Sequence, residues 1–198
     1  MRSLKIGKTI TFLIICIICT TWISTATAED KDWAVSVYSG RLVDGDLGQT
    51  LIFKTPLLDA TFLAATLSKR FYTLWEWIDL EVEGQVVKHI RDQHHWELNA
   101  LTAARFHVLP PEWVIDFSTA FGLGLSYATE LPTEEVIMTN DNTQKLLCYL
   151  MFEFDFAIPK KTNISLFARV HHRSGAYGTF GGVTGASNAW ALGLKYRF

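Results

Sequence analysis

The chain has 198 residues, 49% of them hydrophobic, 13% aromatic and 19% charged, which fits one folded domain and excludes a disordered chain. Its three Cys exclude a disulfide-stapled scaffold. A net charge of −2 with no Lys/Arg stripe gives no footprint for a nucleic-acid partner.

The first element is a targeting segment. Arg2, Lys5 and Lys8 make a basic start, an apolar run follows from Ile10 to Trp22, and Ala26-Thr27-Ala28 is a small-x-small site before Glu29-Asp30. This layout predicts a secretory signal peptide over 1–28 and a mature domain over 29–198. Cys16 and Cys19 lie inside the leader, so only Cys148 remains and no internal disulfide can form.

Beyond the leader, alternation recurs. From Trp113, the odd positions to Tyr127 are apolar and the even ones are small or polar. Residues 95–108, 152–158, 78–83 and 190–198 alternate in the same way, at the two-residue period of a strand. The pattern predicts eight strands, near 33–42, 58–69, 74–88, 94–108, 113–128, 145–158, 163–174 and 187–198. Turns near 70–73, at Pro110-Pro111 and from Pro159 to Thr162 are short. The connections after strands one, five and seven are long.

This is the rhythm of an all-β, eight-stranded, antiparallel up-and-down barrel in a bacterial outer membrane, with short periplasmic turns and long external loops. A soluble lipocalin-like barrel is the rival. Glu81, Glu97, Arg105, Asp116, Glu153, Asp155 and Arg169 sit mid-strand on the polar faces and suit a paired polar interior. Trp113 and Tyr127 near the ends of apolar faces suit interfacial girdles. The chain stops on Phe198, which resembles the C-terminal signal of outer-membrane barrels.

Strand seven carries the candidate chemistry. Parity places Phe167, Arg169, His171 and Arg173 inside, and Leu166, Ala168, Val170, His172 and Ser174 outside. His172 and Ser174 then lie two residues apart on one face, at the height of the outer leaflet, where a Ser and a His form a nucleophile–base pair if a third group orients the ring.

His172-Arg173-Ser174-Gly175-Ala176, the Gly-rich loop after it and Ser187-Asn188 at the start of the last strand resemble the lipid A 3-O-deacylase (PagL) family. The resemblance implies a serine esterase that removes a 3-O-linked acyl chain from lipid A, without a cofactor. It implies Ser174 as nucleophile and His172 as general base. The family's third member is a carboxylate, and its place falls here on Asn188. Where the family often has an oxyanion-donating Asn, this chain has Gly175, so the backbone N–H groups of Gly175, Ala176 and Gly178 are the candidate oxyanion hole. The implied partner is lipopolysaccharide of the outer leaflet. A non-catalytic structural or adhesive barrel is the alternative reading.

Three further groups receive plain expectations. His89, His94 and His95 lack the spacing of a metal site and are expected to be a loop-edge cluster, with no metal. Glu130, Glu134 and Glu135 are expected to be solvated in a long external loop. Cys148 shares parity with Leu146 and Leu150 and is expected to pack rather than react.

Overall fold

The computed structural model describes residues 31–108, 115–157 and 163–198. The expected leader, the turns expected at Pro110-Pro111 and from Pro159 to Thr162, and Trp113 lie outside the described residues. Eight strands run in order: β1 (Trp33–Val43), β2 (Leu57–Leu74), β3 (Ile78–Arg91), β4 (Trp96–His107), β5 (Asp116–Ala128), β6 (Leu146–Ala157), β7 (Ile164–Ser174) and β8 (Ala186–Arg197). Each pairs antiparallel with its neighbour, and β1 pairs with β8, closing the barrel. Closure leaves no sheet edge to be satisfied in lipid.

The outward rows are apolar and bare. Val37 is 61% exposed, Leu63 55% and Leu192 66%, a surface that belongs in hydrocarbon rather than water. Trp33, Tyr72, Trp77, Phe106 and Tyr196 girdle one end, and Trp96 and Tyr127 mark the other. Lys69 and Lys88 lay their ammonium groups over Trp33 and Trp96, at 5.0 and 4.9 Å. The protein is an outer-membrane β-barrel. The segments 44–56, 92–95, 129–145 and 175–185 lie at the end reached by β1, which the longer loops mark as external.

The interior is filled by paired charges, as the mid-strand polar residues predict. Arg169 donates to Glu83 at 2.7 Å and to Glu153 at 2.5 Å. Arg105 joins Glu153 and Glu81, both at 2.8 Å, and Lys195 bridges Glu153 to Asp155. Buried charges persist only when paired in this way. Tyr38, Phe62 and Phe167 pack above this layer as an apolar cluster.

Two departures from the sequence reading concern connections. The turn expected near 70–73 is part of β2. The register shifts between Arg70 and Tyr72, and the chain reverses at 75–77 instead, where Trp75 and Glu76 take φ of 50° and 63°. The alternation before Arg70 does not reveal this irregularity, because a bulge restores pairing beyond it. The external loops also contain two short helices, α1 (Leu47–Leu51) and α2 (Thr133–Thr139). Asp46 and Gln49 form a reciprocal capping box at the start of α1.

Candidate active site

Inside the barrel wall, parity follows the expected division. Phe167, Arg169, His171 and Arg173 are buried in the lumen, while Leu166 on the outer row is 56% exposed. The outer row changes character towards the external end, where Val170 and His172 become buried. The cover is protein, not lipid. The segment 44–56 folds down so that α1 lies against the outer faces of β7 and β8.

Three contacts hold this flap in place. Trp190 donates its indole N–H to Thr50 O at 3.1 Å, and Phe53 stacks on Trp190 with centroids 4.2 Å apart and planes 9° apart. Asn188 Nδ2 donates to Gly45 O at 2.8 Å.

His172 and Asn188 are register partners across β7 and β8. His172 Nδ1 donates to Asn188 Oδ1 at 2.7 Å. Because Nδ2 of the same amide is held by Gly45 O, the amide cannot flip without losing a bond. The orientation of Oδ1, and through it the imidazole tautomer, is therefore fixed: Nδ1 carries the proton and Nε2 carries the lone pair. Both side chains are buried, with Asn188 1% exposed.

Ser174 is the last residue of β7 and is half-buried. Among the described residues, no hydrogen bond joins its Oγ to His172. The structure thus brings His172 and Asn188 together and leaves Ser174 two residues along the same row, open to the outer-leaflet side.

The oxyanion candidates divide. Gly175 N donates to Gly185 O at 3.2 Å and Gly178 N to Val183 O at 2.8 Å, so both are occupied in the β7–β8 loop. Ala176 N–H makes no hydrogen bond among the described residues, and Ala176 sits at φ 47° in a left-handed turn with Tyr177. The expectation of three free donors therefore reduces to Ala176. Gly175 has its own steric reason: a Cβ there would lie 1.9 Å from Val183 O. No side chain fits this crossing, which accounts for Gly where the resembled family often has Asn.

One other expectation changes. Glu135 is not solvated. It is 1% exposed and accepts from Arg173 Nη1. Burial pushes its carboxyl up to about 7, against the opposing pull of Arg173. Cys148 is buried and stands in register with Ser174, which agrees with the packing expected of it.

The flap residues Gly45, Thr50 and Phe53 were absent from the sequence reading. The capping box Asp46-Leu47-Gly48-Gln49 announces a helix start in the sequence, but nothing there says that the helix lies on the outer wall.

No family model and no curated protein gives a significant match to the chain. Among solved structures it is similar to the outer membrane enzyme PagL, with a TM-score of 0.57 at 13% identity, covering 83% of this chain and 99% of that one. It is also similar to Neisserial surface protein A (TM-score 0.49, 9% identity, 84% and 97% covered). A third is the N-terminal β-barrel domain of Pseudomonas aeruginosa OprF (TM-score 0.48, 11% identity, 85% and 98% covered). At these identities the likeness shows the fold alone.

Proposed function

We propose that Ser174, His172 and Asn188 form an esterase site that removes the 3-O-linked acyl chain of lipid A in the outer leaflet. The observation that carries this reading is the His172–Asn188 bond at 2.7 Å, locked from behind by Gly45. An interfacial His needs no oriented amide, whereas a general base needs its tautomer fixed.

In this mechanism Ser174 Oγ turns towards His172 Nε2 and gives up its proton as it attacks the acyl carbonyl. The oxyanion forms beside the Ala176 N–H. The imidazolium, still donating to Asn188 Oδ1, returns the proton to the departing sugar oxygen. Water then hydrolyses the acyl–Ser174 ester by the same base. The resemblance around His172-Arg173-Ser174 and the fold shared with PagL support the substrate class. A substrate embedded in the leaflet reaches the outer face of β7 laterally, so no passage through the lumen is required.

Mass spectrometry of lipid A from cells expressing the chain tests this reading. Loss of one ester-linked acyl chain is expected with the wild type and not with Ser174→Ala. Unaltered lipid A from cells carrying a folded wild-type barrel overturns it and favours a non-catalytic structural or adhesive barrel.

A further inference from the structure

The polar lumen contains a second cluster with metal-ligating chemistry, on the opposite face of the wall from Ser174. His89 near the end of β3, His95 in the β3–β4 turn and Glu97 in β4 each offer a ligand atom within 4.8 Å of the others. All three are more than nine-tenths buried. The His89 and His95 rings stack with centroids 4.1 Å apart.

Several features are those of a ligand set rather than a finished hydrogen-bond network. His95 Nε2 is buried and has no partner among the described residues. An unpartnered ring nitrogen in a dry interior is a cost that a bound metal ion removes.

The surroundings supply the outer shell that metal ligands need. His171 Nε2 donates to Glu97 Oε1 at 2.9 Å, and its own Nδ1 receives the Tyr149 hydroxyl at 3.0 Å. That leaves Glu97 Oε2, the oxygen that accepts from His89 Nε2 at 3.1 Å, as the oxygen a metal would take. Gln93 places its amide nitrogen 3.1 Å from His89 Nδ1 while its Oε1 has no partner. Turning that amide over presents Oε1 to Nδ1–H, the tautomer His89 adopts when Nε2 binds a metal.

We propose that His89, His95 and Glu97 bind a divalent transition-metal ion, with Zn2+ the best match to two imidazoles and one carboxylate. The fourth position of a tetrahedral site falls to water. Binding needs the two rings to fan apart from their parallel stack so that both lone pairs converge. The ion would clip the β3–β4 turn to the two strands it joins. His89 and His95 have no ligand-type spacing in the sequence, so the sequence alone predicts no metal there. The barrel supplies the missing carboxylate by setting Glu97 on the strand beside His89.

The test uses the untagged, detergent-folded barrel after chelator treatment, titrated with Co2+ as a visible probe and then with Zn2+ as competitor. About one equivalent of Co2+ with tetrahedral-type visible absorption, displaced by Zn2+, is expected for the wild type. His95→Ala should weaken binding by about tenfold or more, while His94→Ala, which removes an exposed neighbour, should not. Glu97→Gln should also lose the band; should that variant misfold, the turn variant His95→Ala still decides. No absorption with the folded wild type, or equal binding by His95→Ala, overturns the proposal. The readout is independent of deacylation, since Ser174→Ala should bind Co2+ as the wild type does.

Discussion

Arg173 and Glu135 meet inside the barrel mouth and fasten the β5–β6 loop to β7. Arg173 is one residue from His172 and one from Ser174, yet it faces the opposite way. Its guanidinium also donates to Ser126 Oγ at 3.0 Å and to the carbonyls of Gln144 and Lys145 at 2.8 and 2.5 Å. The strand that presents the proposed esterase pair outward is thus held rigid from the inward side. Arg173→Ala should loosen the 129–145 loop, seen as faster proteolysis there, with the lost rate following the lost order.

A pH effect belongs to the same pair. With its folded value near 7 and its ordinary value at 4.5, Glu135 favours the folded state most when protonated. Its contribution is complete below about 4.5 and is lost as pH rises through 7, because ionisation then occurs in a buried place facing Glu97 as well as Arg173. The difference is on the order of 2–3 kcal/mol. Glu135→Gln should therefore flatten the change in denaturant midpoint between pH 5 and pH 8. An unchanged slope would assign the pH response to other groups.

The proposed esterase pair gives a direct expectation. Ser174→Ala and His172→Ala should each reduce deacylation by about a thousandfold or more while the barrel keeps its heat-modifiable gel mobility. Both side chains point away from the paired charges that fill the lumen. Full activity in folded Ser174→Ala would remove Ser174 from the nucleophile role.

Asn188 separates two effects. Asn188→Ala frees the imidazole ring and should slow the reaction by about fivefold or more, since a positioned hydrogen bond contributes roughly 1 kcal/mol or more. Asn188→Asp offers the imidazolium a charge-assisted bond of about 1.5–3 kcal/mol. It also loses the donor to Gly45 O and points a buried carboxylate oxygen at that carbonyl. The unsatisfied buried charge outweighs the gain, so Asn188→Asp should be slower than wild type and its 44–56 flap more easily cleaved. Rate and limited proteolysis, measured together, check both halves.

Gly175→Asn tests whether the resembled family's residue can be restored. With Val183 O at 1.9 Å from the new Cβ, the 175–185 loop must open. Activity should fall, and protease sensitivity in that loop should rise.

The legible part of this molecule was its periodicity. Alternation around Arg105, Glu153 and Arg169 identified a polar interior because the strand period of two assigns a face to every residue at once. The same parity put His172 and Asn188 on the outward face, whereas Asn188 as the partner of His172 was implied by the family resemblance and not by the alternation. Parity says nothing about what lies over a face. The burial of His172 under α1, the occupied N–H groups of Gly175 and Gly178 and the burial of Glu135 all depend on how external loops fold back. Those contacts join residues far apart in sequence, such as Asn188 and Gly45, and leave no local pattern. The nearness of His89 to Glu97 is illegible for a related reason: the spacing groups His89 with the loop edge and Glu97 with the next strand, and their contact joins the two strands.

The matched charges of the lumen have an electrical meaning. Glu81, Glu83, Glu153 and Asp155 face Arg105, Arg169, Lys195 and Arg197 in a layer with the side chains locked together. Such a plug carries no mobile ions, and its salt bridges would have to break together for a solute to pass. Many copies could therefore crowd a membrane without shunting its ion gradients, and a planar bilayer holding the purified barrel should remain silent under applied voltage.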